Sequence, residues 1–158
     1  MFRIGEGWDS HRLVAGRPLM LGLVRVDAAF GAEGHSDGDA AAHAVCDALL
    51  GAMAAGDMGR YFPSSEERWS GADSAVFIAE TMRLVREKGG EIVNLDLTIM
   101  LEEPRLSPYI EEMRQALAAT LGCPLGAVSV KAKTADGSGE VGAGKAVEAR
   151  AVVLVETV

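Results

Sequence analysis

The segment HSDGDAAAHAVCDALLGAMAAG, residues 35–56, defines the first helix of the chain. It is rich in small helix formers, opens with Ser36-Asp37 as a candidate N-cap and closes at Gly56, which predicts a helix of several turns. Within it, Asp39, His43 and Asp47 are spaced i, i+4 and i+8, so they share one helix face. That face is therefore acidic and carries an imidazole.

Strand and helix patterns alternate on both sides of this helix. Odd-numbered residues from Leu95 to Leu101 are apolar and are expected to face a core, as in a half-buried strand. The pattern predicts strands at 2–7, 18–26, 91–101, 128–133 and 147–155, a second helix capped by Asp73 or Ser74 and ending near Gly89-Gly90, and a third from Ile110 to Gly122. No repeat or linker interrupts the chain, so residues 1–158 are interpreted as one mixed α/β domain.

The charge and composition exclude several classes of function. A net charge of -8 leaves no basic surface for nucleic acid, and a phosphate ligand must be held by metals, backbone amides or single basic side chains. No run reaches the ~18 apolar residues of a membrane span. The two cysteines, Cys46 and Cys123, form no CxxC pair, which favours a reducing cytoplasm.

All three histidines lie in the first 43 residues, which invites a metal interpretation. Asp9 and His11 share one face of a strand, because strand side chains alternate. With His43 from the helix they make three ligands, and three protein ligands with one open position is the catalytic arrangement of zinc. A DxH pair is common by chance, and a histidine on an alanine-rich helix is usually only packed or capped, so the wider sequence must decide.

The wider sequence resembles the 2-C-methyl-D-erythritol 2,4-cyclodiphosphate synthases. The resemblance covers nearly the whole chain in collinear motifs. These are GEGWDSH at 5–11, HSDGDAAAH at 35–43, DALLGA at 47–52, GDMGRYFP at 56–63, GADS at 71–74, LEEPRLSP at 101–108 and VKAKT at 130–134.

The resemblance implies an activity and its cofactors. The expected reaction cyclises 4-diphosphocytidyl-2-C-methyl-D-erythritol 2-phosphate with release of CMP, in the non-mevalonate route to isoprenoid precursors. The resemblance implies Zn²⁺ on Asp9, His11 and His43, and a second divalent cation, Mg²⁺ or Mn²⁺, near Asp136. Asp47, one helix turn beyond His43, is expected to orient the His43 imidazole. His35 and Thr134 would be the catalytic residues that hold the substrate phosphates.

The resemblance also implies the residues that contact substrate. Besides the ligands and phosphate-binding residues, they comprise Ser10, Ser36, Asp57, Met58, Gly59, Phe62, Pro63, Ser64, Ser65, Glu66, Leu101, Glu103, Pro104, Arg105, Leu106, Lys133 and Ala135. Ser36 could equally be a plain N-cap, and Asp57 a turn residue.

The implied fold is a mixed four-stranded sheet with helices on one face. Members of the family form cyclic homotrimers, so the resemblance implies active sites shared between neighbouring chains. It also implies a central cavity that can hold an isoprenoid diphosphate or another anion.

The chain departs from the family pattern after Thr134. The family glutamate is replaced by Ala135, followed by Asp136, and Ala143 and Lys145 stand where the family has arginine and glutamate. A second hypothesis therefore stays open, a non-catalytic protein that binds a nucleotide or an isoprenoid diphosphate on the same scaffold. A zinc hydrolase is disfavoured because no general base accompanies the triad.

Overall fold

The computed structural model describes residues 1–158 and places a five-stranded mixed sheet at the centre. The strand order is β4-β1-β7-β5-β6, antiparallel except for the parallel pair β5 and β6. The strands are β1 (Phe2–Ala15), β2 (Leu19–Leu21), β3 (Val24–Val26), β4 (Phe30–Ala32), β5 (Gly90–Met100), β6 (Val128–Lys133) and β7 (Ala146–Thr157). The implied count of four strands is corrected by β4, which pairs with the end of β1.

The predicted strand at 18–26 is a hairpin outside the main sheet. Its two halves, β2 and β3, pair only with each other. Gly22 and Leu23 both have positive φ, 59° and 67°. Two consecutive residues in this region form the tight turn that reverses a two-residue hairpin, and a glycine at the first position makes the reversal possible.

Five helices are present: α1 (Ala40–Ala52), α2 (Met58–Tyr61), α3 (Ser74–Glu87), α4 (Ile110–Leu121) and α5 (Gly139–Gly142). The single-turn helices α2 and α5 were not anticipated. The first helix begins later than predicted, because Asp39, not Ser36 or Asp37, caps it by accepting from the Ala42 amide. The predicted cap Asp73 and the stop at Gly122, with φ of 70°, are confirmed. No helix has the length and apolarity needed to span a membrane.

Helix α1 lies almost in backbone contact with β1. A Cβ atom at Gly5 or Gly7 would overlap the carbonyl oxygen of Ala48 or Ala44, closer than side chains ever approach backbone. The two glycines of GEG therefore allow the helix to settle on the strand, and the alanines of α1 complete the close fit. This contact sets the height of His43 above β1.

The helices cover one face of the sheet, as predicted. Leu95, Leu97 and Ile99 of β5 are buried beneath them, as is Leu101 directly after the strand. The opposite face has no cover in the single chain. It exposes Phe2, Ile4, Trp8 and Val152, with Ile4 73% exposed.

Candidate functional site

Three potential metal ligands converge where β1 meets α1. Asp9 and His11 are two residues apart on β1, and His43 extends from α1. Asp9 Oδ2 lies 2.7 Å from His11 Nε2 and 3.0 Å from His43 Nδ1, and the two nitrogens are 3.3 Å apart. The structure thus brings together the three ligands predicted from sequence, and no other His, Cys, Asp and Glu side chains form such a group.

The donor set suits zinc. Zinc binds imidazole nitrogen and carboxylate oxygen at about 2.0–2.2 Å, and ligands on a tetrahedron at these lengths stand about 3.3 Å apart. The two histidine nitrogens already have this separation. The Asp9 oxygen would have to move outward by roughly 0.6 Å or less to complete the same geometry.

Each imidazole is held through the nitrogen that faces away from the triad. His11 Nδ1 lies 2.7 Å from the Glu33 carbonyl oxygen, which can only accept, so in the neutral ring Nδ1 carries the proton and Nε2 presents its lone pair. His43 Nε2 lies 3.1 Å from Ser74 Oγ and 3.2 Å from Ser36 Oγ. Both rings are therefore oriented with their other nitrogen directed at the triad.

The structure does not place Asp47 on the His43 imidazole as predicted. Asp47 Oδ1 accepts from the Met58 amide at 2.8 Å and so holds the start of α2. A spacing of i, i+4 brings two residues to one helix face, but it does not bring a short carboxylate into contact with a ring directed at β1. Asp47 still lines the same pocket.

Asp9 and His11 have opposite pKa shifts. Burial alone would raise the pKa of Asp9, but hydrogen bonds and charge from His11 and His43 outweigh it and lower the pKa to about 2. Burial would lower the pKa of His11, but the Asp9 carboxylate outweighs it and raises that pKa above 6.5. Below the raised pKa of His11, the two groups therefore form an ion pair in the metal-free protein.

These shifts predict that metal affinity depends on pH. His11 must lose its proton to bind a metal, so zinc affinity should fall as the pH drops through the raised pKa of His11. The contribution of the Asp9–His11 pair to the stability of the metal-free protein should also depend on pH, and it should be lost at both extremes. The Asp9 part is lost as the pH falls from 3.8 toward about 2, and the His11 part is lost as the pH rises above 6.5. Zinc titrations from about pH 5 to pH 8 test this expectation, and a constant affinity would contradict it.

The triad lies in a pocket of about 230 Å³ that also contains the predicted phosphate-binding residues His35 and Ser36. His35 is exposed, and Ser36 is 8% exposed. Met58, Phe62 and Ser64, predicted from the resemblance, line the same pocket. One chain thus supplies the metal triad, two phosphate-binding candidates and an apolar wall.

Several predicted contact residues do not reach this pocket. Strand alternation turns Ser10 to the uncovered face, between Asp9 and His11. Asp57 caps α2 by accepting from the Arg60 amide at 3.3 Å, and Glu66 pairs with Arg68. Gly59, Pro63 and Ser65 do not line this pocket either.

A second cluster lies apart from the triad. A pocket of about 220 Å³ is lined by Leu101, Pro104, Arg105, Leu106, Lys133 and Thr134 from the predicted set. Asp136 Oδ1 accepts from the Thr134 hydroxyl at 3.2 Å. The triad pocket and this second pocket share no lining residue, so within one chain they are separate.

Three further residues shape these pockets and were missed in the sequence. Glu102 accepts from the amides of Ala135 at 2.9 Å and Gly137 at 3.0 Å, which fixes the turn carrying Thr134 and Asp136. Trp69 and Phe77 line the triad pocket with Phe62, their ring centroids 4.9 to 5.5 Å apart.

Arg17 was also missed. Its guanidinium donates to the carbonyls of Gly34 and Ser36, both at 3.0 Å, and holds the loop that carries His35. No local motif in the sequence indicates these contacts. Most of them join residues that are far apart in the chain, and the aromatic residues could equally be ordinary core residues.

Comparisons with known proteins agree on one family. The model of the YgbB family matches residues 2–156. A 2-C-methyl-D-erythritol 2,4-cyclodiphosphate synthase of Laribacter hongkongensis is 52% identical over 155 residues, which is 98% of this chain and 96% of that protein. A bifunctional IspD/IspF enzyme of Albidiferax ferrireducens is 53% identical over 154 residues, 98% of this chain but 37% of that protein.

Solved structures give the same result. A 2C-methyl-D-erythritol-2,4-cyclodiphosphate synthase in a CDP-bound form superposes with a TM-score of 0.90 at 42% identity, over 98% of this chain and all of that one. The bifunctional IspDF of Campylobacter jejuni superposes with a TM-score of 0.96 at 31% identity, over the whole of this chain and 43% of that one.

Proposed function

The chain belongs to the YgbB family, and from this premise we propose that it converts 4-diphosphocytidyl-2-C-methyl-D-erythritol 2-phosphate into 2-C-methyl-D-erythritol 2,4-cyclodiphosphate and CMP. The reaction is a step of the non-mevalonate route to isoprenoid precursors. We place it in the cytoplasm, where Cys46 and Cys123 would remain free thiols. The observation that carries the proposal is the Asp9, His11 and His43 triad in a pocket beside His35 and Ser36.

The chemistry needs position and charge neutralisation more than proton transfer. An oxygen of the 2-phosphate attacks the β-phosphorus, a new P–O bond closes the ring, and the bond from the β-phosphorus to the bridging oxygen breaks. CMP leaves with that oxygen and its electron pair. The substrate provides its own nucleophile, so no covalent enzyme intermediate is required, and correct placement of two phosphates lowers most of the barrier.

The triad side chains would hold Zn²⁺, which when bound supplies positive charge to the substrate phosphate oxygens. The exposed His35 and the hydroxyl of Ser36 would hold the 2-phosphate. Arg17 keeps their loop in place through its two carbonyl contacts. Phe62, Trp69 and Phe77 form an apolar wall that limits water around the reacting phosphates.

The second pocket, next to Thr134, would bind the cytidine end of the substrate and the second divalent cation, Mg²⁺ or Mn²⁺. The 101–106 loop and Lys133 line the pocket, Thr134 would contact the diphosphate, and the Asp136 carboxylate suits a hard cation. The substitution of Ala135 for the family glutamate is compatible with this role. Glu102 holds the turn through backbone amides, so its shape does not depend on the residue 135 side chain.

A cyclic homotrimer would bring the triad pocket of one chain next to the second pocket of its neighbour at each interface. The uncovered sheet face exposes Phe2, Ile4 and Trp8, and apolar area of this kind is stabilised by burial against a partner. Around a threefold axis these faces would enclose a central cavity. Arg150 is 59% exposed on that face, where its Nε lies 3.4 Å from a Glu6 carboxylate oxygen. The rest of its guanidinium would bind an isoprenoid diphosphate or another anion there.

Mixing two inactive variants tests the shared site. His43→Ala and Asp136→Ala chains should each be inactive as homotrimers, but a mixed trimer contains one interface with both residues intact. Random assembly from equal amounts should therefore restore about a quarter of the unmodified activity. Light scattering should give three chains of 16.5 kDa, about 50 kDa. A monomeric mass, or no recovery after verified mixing, would rule out sharing.

The binding protein without turnover is the main rival, favoured only by the altered segment after Thr134. Purified protein with Zn²⁺ and Mg²⁺ should release CMP and the cyclic diphosphate in equal amounts. In ¹⁸O-labelled water neither product should gain the label, because no water attacks phosphorus. Binding of substrate without CMP would establish the rival, and label in the product would indicate a hydrolase.

A further inference from the structure

The His43 imidazole is linked to a carboxylate on the far side of the pocket wall. We propose that Ser74 and Asp37 are positioning residues for the metal site, forming a relay in which His43 Nε2–H donates to Ser74 Oγ and Ser74 Oγ–H donates to Asp37. The relay fixes the His43 tautomer with Nδ1 free for the metal. This inference rests on the metal site of the proposed function.

The proton order in the relay follows from the acceptors. Ser74 Oγ lies 2.5 Å from Asp37 Oδ1, and an ionised carboxylate can only accept, so the Ser74 hydroxyl proton is committed to Asp37. Ser74 Oγ can then only accept from His43 Nε2, 3.1 Å away. With a metal on Nδ1, the ring proton of His43 lies on Nε2, where Ser74 Oγ accepts it. Without a metal, the Asp9 carboxylate, 3.0 Å from Nδ1, competes with Ser74 for that proton.

The relay is built into the fold rather than lying on its surface. Ser74 is 0% exposed at the start of α3. Asp37 also accepts from the Ser74 backbone amide at 2.8 Å, so it holds both the hydroxyl and the main chain of one residue. The Asp37 amide in turn donates to the Ala72 carbonyl at 3.2 Å. The loop before α1 and the loop before α3 are thus locked together behind the imidazole.

The relay assigns different roles to two serines at nearly equal distance from His43. Ser36 Oγ, 3.2 Å from Nε2, has no carboxylate partner, and it lines the substrate pocket whereas Ser74 does not. With the single Nε2 proton directed to Ser74, the Ser36 hydroxyl is free to donate to a substrate phosphate. Ser74 orients the metal-binding His43, and Ser36 binds a phosphate of the substrate.

Zinc affinity distinguishes these roles. Loss of an outer hydrogen-bond partner typically weakens metal binding by about 10–100-fold. We expect a loss of this size for Ser74→Ala, measured by chelator competition, with the metal-free protein still folded. Ser36→Ala should change zinc affinity less than about threefold but raise KM for the substrate. Equal losses, or a larger loss in Ser36→Ala, would overturn the assignment.

Asp37→Asn tests the carboxylate end. Asparagine replaces one acceptor oxygen by a donor, so one of the groups that now donate to Asp37 loses its partner. Zinc affinity should fall, and in a Ser74→Ala background the same change should cost little more, because both act through one chain. The matched control is Asp73→Asn, which removes the same charge from the neighbouring N-cap and should leave zinc affinity unchanged. Additive losses would refute the relay.

Nitrogen NMR of the metal-free protein reports on the relay without any metal. At about pH 8, where imidazole is ordinarily neutral, the share of His43 protonated on Nε2 should be larger in the unmodified protein than in Ser74→Ala. An equal share in both proteins would overturn the relay. If the unmodified protein binds no zinc but shows this difference, the metal assignment fails while the relay stands.

Discussion

His43→Ala should lose both the zinc that we propose it binds and its CMP release, while the chain stays folded. His43 is one of the three proposed ligands, and removing one leaves two donors that cannot hold the ion in a tetrahedral site. We expect activity to fall by more than about 100-fold, beyond the loss typical for an outer partner. Metal analysis of the purified variant, its circular dichroism and a CMP assay measure the three properties. The same result is expected for His11→Ala.

The third histidine provides the matched control for this prediction. His35 lies in the same pocket but is exposed and makes no hydrogen bond to the triad. His35→Ala should therefore keep about one zinc per chain and lose activity through weaker phosphate binding. Zinc retained near one equivalent in both His11→Ala and His43→Ala would show that the triad is not the metal site.

Gly7→Ala should destabilise the chain severely. The added Cβ would overlap the Ala44 carbonyl, and both partners are backbone in regular elements that no rotamer change can relieve. Overpacking of this kind costs about 1–3 kcal/mol, and the rigid contact places this site at or above the upper end. Displacement of α1 would also carry His43, which precedes Ala44, away from Asp9. The free energy of unfolding, measured with urea at fixed protein concentration, and the zinc affinity should therefore both fall.

Gly51→Ala is the comparison for this prediction, because it changes a glycine to alanine on the same helix. Its nearest neighbour is the Glu6 carbonyl oxygen at 3.7 Å from the added Cβ, an ordinary contact. Alanine is the better helix former, so the free energy of unfolding should rise by about 0.5–1 kcal/mol. If Gly7→Ala behaved like Gly51→Ala, the close approach of α1 to β1 would not be essential for the fold.

Local sequence patterns located every long helix and long strand, because their periods are set by the backbone geometry of each element, although β1 continues to Ala15, well beyond the predicted 2–7. The alternation in β5 placed Leu95 and Leu97 in the core, and the positive φ of Gly122 ends α4 where the glycine indicated. Short elements were missed for the same reason. Strand β4 and helix α5 are too short to show a period. They depend on tertiary contacts, such as the pairing of β4 with the end of β1.

The sequence by itself determined the residues of the triad and the family. Asp9 and His11 share a strand face by alternation, and the collinear motifs add His43. Only the tertiary structure decided which groups hold these ligands in place. Asp47 was predicted to orient His43 from helix spacing, yet Ser74, 31 residues away, makes the contact. Spacing along a chain fixes which side chains share a face, whereas a hydrogen bond across two elements depends on how those elements pack, and no local pattern records that.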